Sequence, residues 1–228
     1  MAEEKTVLLL GGSGGIGSAL ADGLRAAGWK VAAPGRAELD LEKPASIEAF
    51  FAKNPAGFYA VVQCAGFNNP KPFEALTRAD VSRTMEINVM GFFDVLRRAV
   101  PLMKQNGGGG RILAVSSIYG SFSRAGRLAY SMSKHALNGM VKTLALELAP
   151  HGITVNSLAP GFVATEMTTR NNPPEVVKEL ESHIPVGRLA RPEEIAATAL
   201  FLLGPAASYI NGAVITADGG YSAGGFQK

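Results

Sequence analysis

The stretch Gly11-Gly12-Ser13-Gly14-Gly15-Ile16-Gly17 lies between a short apolar run at 5–10 and a periodic segment at 19–27. In that segment Ala19, Leu20, Gly23, Leu24 and Ala27 fall on one helical face. Strand, glycine turn, helix is the order a dinucleotide-binding loop requires. Glycine lets the backbone turn tightly and come close to a pyrophosphate. The following helix start offers free N–H donors and the positive end of its dipole. A glycine cluster without such flanks would be only a flexible turn.

The same alternation runs through the chain. Apolar runs at 6–10, 29–33, 59–63, 112–116, 154–158 and 213–216 are predicted strands, short and continuous as in a sheet covered on both faces. Helical patterns at 18–27, 44–53, 78–104, 130–148, 174–182 and 193–203 separate them. Alternating units of this kind predict an α/β fold, a doubly wound parallel sheet of Rossmann type. The 228 residues, 47% of them hydrophobic, fit a single domain over 1–228. No internal repeat is visible, and the glycine run at 107–110 reads as a loop tip.

Composition narrows function. A net charge of +3 with scattered Lys and Arg argues against a nucleic-acid groove. One cysteine allows no internal disulfide, and the three histidines share no metal-ligand spacing with it, so no metal is expected. The start Met1-Ala2-Glu3-Glu4 lacks a basic leader region, and no run reaches the length of a transmembrane helix. A cytoplasmic protein without a membrane partner is the expectation.

Chemistry concentrates at Tyr130 and Lys134, in Ala129-Tyr130-Ser131-Met132-Ser133-Lys134. One helical turn separates them, so phenol and ammonium can reach one point. A neighbouring cation favours the phenolate, which suits a proton donor whose pKa must fall toward neutrality.

Over nearly its whole length the chain resembles the short-chain dehydrogenase/reductases. The matching residues are Gly11-x-x-x-Gly15-x-Gly17, Gln63-Cys64-Ala65-Gly66, Asn88, Ser117, Tyr130-x-x-x-Lys134, Pro160-Gly161 and Asp218-Gly219-Gly220. The resemblance implies a ketoreductase in which Ser117 polarises a carbonyl and Tyr130 is general acid/base. Lys134 would tune the tyrosine and bind the nicotinamide ribose, and Asn88 would hold a water linking the lysine to solvent. Ser116 is an adjacent alternative, but the interval to Tyr130 usual in the family favours Ser117. The resemblance also implies cofactor contacts from Gly11, Ser13, Gly15, Ile16 and Gly17, and from Cys64, Ala65 and Gly66. At the nicotinamide end it adds Tyr130 and Lys134, with Pro160, Gly161, Val163 and Thr165. Gln63-Cys64 replaces the family's usual Asn-Asn, and Leu10 its threonine. Cys64 reads as a small buried residue, since no partner base is evident.

The segment after the second strand bears on cofactor choice. An acidic residue about 20 positions beyond the glycine motif would bind a ribose 2′-hydroxyl and repel a 2′-phosphate. Pro34-Gly35-Arg36 stands there instead, and Arg36 can pair with a phosphate through its planar fork. NADP(H) is therefore expected over NAD(H). Asp40-Leu41 resembles the family's adenine-contacting pair, normally found after a further helix and strand, so that segment is expected to be shortened. Glu38 could then approach the ribose and weaken the preference.

The resemblance further implies that residues 162–188 close over the substrate, with Met167, Ile184 and Pro185 as an apolar wall. Asn171-Asn172-Pro173-Pro174 reads as a mobile turn. Tyr119, Phe122, Arg124 and Arg127 could form the other wall, the arginines facing an anionic substrate or standing as solvated loop charges. Similarity to 3-oxoacyl-carrier-protein reductases makes the substrate a small-molecule or acyl-carrier-linked carbonyl, with Lys104, Arg111 and Lys142 available to an acidic carrier. Leu146 and His151 stand where that subfamily often has arginines. An NAD-dependent alcohol dehydrogenase and a non-catalytic NADP-sensing protein are the alternatives. The helices at 78–104 and 130–148 imply, by the same resemblance, a homodimer or homotetramer.

Overall fold

The computed structural model describes residues 5–105 and 109–224. The chain start at residues 1–4 and positions 107 and 108 of the glycine run lie outside the described residues.

Six parallel strands form one sheet: β1 (Thr6–Leu10), β2 (Lys30–Ala32), β3 (Ala60–Gln63), β4 (Gly110–Val115), β5 (Ile153–Pro160) and β6 (Val214–Ala217), in the order β2-β1-β3-β4-β5-β6. The chain leaves β1 toward β2 on one side and returns to β3 on the other, a topological switch point where such sheets bind ligands. Register aligns Leu10 with Gln63 and Gln63 with Ala114, so these strands end together at one edge.

Successive side chains of β1 point to opposite faces. Val7 and Leu9 join Leu20 and Leu24 of α1 (Gly15–Ala26) and Ile195 and Ala199 of α8 (Pro192–Leu203). Leu8 and Leu10 join Ile47 of α2 (Pro44–Lys53), Phe92 of α4 (Gly91–Gln105) and Leu137 and Val141 of α5 (Leu128–Leu148). Leu8 and Leu9 are fully buried, contributing roughly 1.5–3 kcal/mol each.

Four features differ from the sequence reading. Gly110 opens β4 rather than a loop tip. The helix expected at 78–104 is broken: α3 (Arg78–Met85), begun by a capping box between Thr77 and Asp80, passes through a π-helical turn at Glu86–Met90 into α4. A π turn displaces backbone carbonyls from their regular partners. Here Gln63 Nε2 donates to the carbonyls of Ile87 at 3.3 Å and Asn88 at 3.5 Å. A short helix, α6 (Glu166–Asn171), precedes α7 (Pro174–His183) where no separate helix is expected. Asn172, placed in a mobile turn by its sequence, is buried and donates to the Thr168 carbonyl at 2.9 Å.

The shortened segment is present. Residues 33–43 pass through turns straight to α2, and β2, three residues long, ends the sheet.

Candidate active site

The glycine loop folds tightly because two of its positions exclude any side chain. Gly11 has φ +79°, and an added Cβ would lie 2.5 Å from Ala65 Cα; one added at Gly17 would overlap the Gly11 carbonyl oxygen. No side chain caps α1 and no acidic residue stands in its first turn. The Gly14 N–H donates back to the Gly11 carbonyl at 3.2 Å, and those of Ser13, Gly15, Ile16 and Gly17 are left for an anion. A dinucleotide pyrophosphate fits this cradle.

Two hollows flank the loop. The first is lined by Gly11, Ser13, Arg36, Asp40, Leu41 and Ala65, the residues expected at adenosine. Arg36 is not free there. Its Nε donates to Asp40 Oδ2 at 3.4 Å and its Nη2 to Glu42, which also accepts from Arg83 at 3.2 Å. Asp40 is buried, which alone would raise its pKa. The Glu42 N–H and the Arg36 charge outweigh this and hold the carboxyl below its ordinary value. Glu38 turns back to accept from the Gly35 N–H at 3.1 Å.

The second hollow, at the carboxyl ends of β3, β4 and β5, collects Ile16, Cys64, Gly66, Ser117, Tyr130 and Lys134 with Pro160, Gly161, Val163 and Thr165. Ser117 follows β4, and its Oγ accepts from the Tyr119 N–H at 3.1 Å. The neighbouring Ser116 donates instead to the Lys134 carbonyl at 3.3 Å, which ties its hydroxyl to the helix backbone. Lys134 Nζ is buried, donates to the Val115 carbonyl at 2.8 Å and lies 5.4 Å from the Tyr130 ring centre. Asn88 sits in the π turn. Its Oδ1 accepts from the Phe67 N–H at 2.7 Å, and its Nδ2 donates to the Phe67 carbonyl at 3.0 Å and Ser133 Oγ at 2.9 Å. The released turn thus clamps the segment after β3 to α5.

Burial dominates the electrostatics of the pair. Burial pushes the Tyr130 phenol up to about 12, although hydrogen bonding to Ser117 and the Arg127 charge pull the other way. Burial also brings Lys134 down to about 8. In this state the lysine does not draw the phenol toward neutrality, because desolvation dominates both groups. Burial raises the Cys64 thiol to about 12, which leaves it an inert lining residue.

The segment after β5 is tied to the glycine loop and to the stretch before α8: Thr165 packs against Gly15, and Val163 pairs with Ala190. Met167 lines the cleft, but Ile184 and Pro185 do not. They pack beneath Gly219 and Gly220. Gly161 abuts Asp218, whose carboxylate accepts from the N–H groups of Gly220 at 3.0 Å and Ser222 at 2.8 Å. That turn brings Tyr221 to 5.2 Å from Phe162 and 6.0 Å from Phe122, ring centre to ring centre. Tyr119 stands edge-on to Tyr130 at 6.4 Å. The contribution of Tyr221 to this aromatic wall carries no local sequence signal. Arg111 is buried in β4 and donates to the Gly110 carbonyl, so it presents no charge to a carrier.

A family model described as enoyl-(acyl carrier protein) reductase matches residues 11–222. The chain belongs to the short-chain dehydrogenase/reductase family. It is an oxidoreductase of the nicotinamide-dependent kind that this family comprises. The 3-oxoacyl-(acyl-carrier-protein) reductase of Aggregatibacter actinomycetemcomitans is 32% identical, over 95% of this chain and 98% of its own. The 7alpha-hydroxysteroid dehydrogenase of Escherichia coli K12 is 36% identical over 81% of this chain and 72% of its own. The crystal structure of a putative gluconate dehydrogenase from Agrobacterium tumefaciens superposes with a TM-score of 0.88 at 28% identity, covering 95% of both chains. Among the described residues no helix of this dehydrogenase/reductase is long and apolar enough to cross a membrane.

Proposed function

We propose that this protein is an NADP-dependent ketoreductase with Tyr130 as its general acid. The supporting observation is that Ser117, Tyr130 and Lys134 line one cleft at the end of the glycine-loop cradle. When bound, the nicotinamide supplies the hydride. Ser117 holds and polarises the carbonyl oxygen, and the Tyr130 O–H gives that oxygen its proton as carbon is reduced. Lys134, turning from the Val115 carbonyl, binds the ribose hydroxyls and favours the phenolate left behind. Asn88 fixes the segment over which the lysine reaches and holds the water joining it to solvent. Alcohol oxidation would run the same steps in reverse.

Arg36, at the mouth of the adenosine hollow, supports NADP(H) over NAD(H). Asp40 and Glu42 around it favour a second reading, NAD-dependent alcohol oxidation. Separate fluorescence titrations with NADPH and NADH decide between them: tight, selective NADPH binding is expected, and preference for NADH would overturn the assignment. Binding of NADPH without turnover of any carbonyl would make the protein a non-catalytic sensor. Substrate is a small or acyl-carrier-linked carbonyl, and the setting is the cytoplasm. Phe93, Met140 and Leu144, along a groove between α4 and α5, support a homodimer or homotetramer built through these helices.

A further inference from the structure

Arg127 stands at the N-cap position of α5, one turn before Tyr130. Its sequence neighbour Arg124 is exposed, as a solvated loop charge would be, but Arg127 is only 8% exposed and lines the catalytic cleft. A buried guanidinium needs a counter-charge or a full set of acceptors; without them its desolvation costs several kcal/mol. Among the described residues Arg127 has no ion pair, and its hydrogen bond goes to Asn172 Oδ1, a neutral acceptor, at 3.4 Å. That distance exceeds the usual range for an N–H···O bond. None of its nitrogens is both sealed from solvent and unpartnered, so the rest of the planar fork opens on the cleft. The other charges near it make matters worse or are neutral in this state: Arg124 is a like charge, and Tyr119 and Tyr130 are phenols. No lining residue of the cleft is acidic, and its other cation, Lys134, is bonded to Val115.

Rotation into solvent would relieve the penalty, yet the side chain stays against the turn between α6 and α7, beside the reacting phenol. A latch between α5 and that turn explains the contact with Asn172 but not the choice of a charged residue for it.

We propose that Arg127 is a substrate-binding residue whose partner is a carboxylate, and that the substrate is a free oxo acid with that carboxylate close to its ketone. The inference rests on carbonyl reduction at Tyr130. Hydride from NADPH adds to the ketone carbon, the C=O π pair moves to oxygen, and Tyr130 protonates it. The product is a hydroxy acid whose carboxylate stays on the guanidinium throughout. A carrier or coenzyme thioester has no charge next to its ketone and would leave Arg127 unpaired.

The test compares acetoacetate and pyruvate with their methyl esters, with NADPH, for the wild type, Arg127→Gln and Arg127→Lys. A charge-assisted hydrogen bond is worth enough to favour acid over ester about 10- to 100-fold in kcat/KM. Arg127→Gln should collapse that ratio, chiefly through KM, and Arg127→Lys should restore part of it. A ratio near one in the wild type, or one unchanged in Arg127→Gln, would overturn the inference. Calorimetric titration of the two acids into NADPH-bound protein supplies a readout without turnover. Acid binding lost in Arg127→Gln but accompanied by no turnover would uphold the carboxylate site and overturn carbonyl reduction. Turnover of esters with no binding of either acid would do the reverse.

Discussion

Replacing Arg36 by alanine should separate the two nicotinamide cofactors. The Arg36 side chain is 65% exposed and shared between Asp40 and Glu42. Its loss therefore costs the fold little, within the range of about 0–1 kcal/mol found for exposed ion pairs. The effect on a 2′-phosphate is larger. A charge-assisted hydrogen bond contributes about 1.5–3 kcal/mol, and exposure places this one near the lower limit. That is roughly a tenfold rise in Kd for NADPH. The carboxylates of Asp40 and Glu42, left uncompensated, would add repulsion against the phosphate, so tenfold is a floor. NADH carries no 2′-phosphate, and its Kd should stay within about twofold, since the interaction removed was never made. Glu42→Gln should act in the opposite sense: it frees Arg36 from its closest partner and tightens NADPH. The assay is fluorescence titration of both cofactors at fixed ionic strength, with thermal unfolding as a control for folding. Equal weakening of NADPH and NADH by Arg36→Ala would refute the reasoning, as would weaker NADPH binding by Glu42→Gln.

Tyr130→Phe should keep cofactor binding and lower turnover by about 10²- to 10⁴-fold, the usual size of a general-acid contribution; steady-state kinetics checks it, and a loss under tenfold would remove Tyr130 from the proton path. Gly17→Ala forces a methyl group into the Gly11 carbonyl, so NADPH binding should be lost in calorimetry while far-ultraviolet dichroism stays near the wild type. The third concerns pH. The folded pKa of Lys134, about 8, lies below its ordinary 10.5, so between those values the unfolded chain binds more protons and stability rises with pH. Tyr130, raised from 10.0 to about 12, acts in the opposite sense but only above pH 10. Urea unfolding should show the wild type gaining about 2–3 kcal/mol relative to Lys134→Met between about pH 8 and pH 10. Parallel curves for the two proteins would contradict the burial of a titrating lysine.

The sheet was legible from apolar runs such as Val7 to Leu10, although β5 interrupts its run with Thr154, Asn156 and Ser157, which are buried as well. The sequence does not show what is decided at long range. The π turn at Glu86–Met90 has no local signature; its carbonyls find their donor in Gln63, a strand residue whose side chain was read only as a departure from a motif. Arg127 looks like Arg124 in sequence, and it is the turn between α6 and α7, bringing Asn172 against it, that separates a buried cation from a solvated one. Arg36 was readable as a phosphate partner but not as one already held by Glu42. Tyr130 and Lys134 were legible as a pair, while the direction of their pKa shifts was not, because it depends on burial by the surrounding elements.

Oxidation of NADPH by the purified protein, followed by absorbance with 2-oxo acids, 3-oxo acids and acyl thioesters, tests the ketoreductase assignment most directly. Wild type and Tyr130→Phe are run in parallel. The expected result is turnover of at least one carbonyl class that Tyr130→Phe loses while still binding NADPH. Tight NADPH binding by the wild type with no carbonyl reduced, or equal turnover by both proteins, would contradict it.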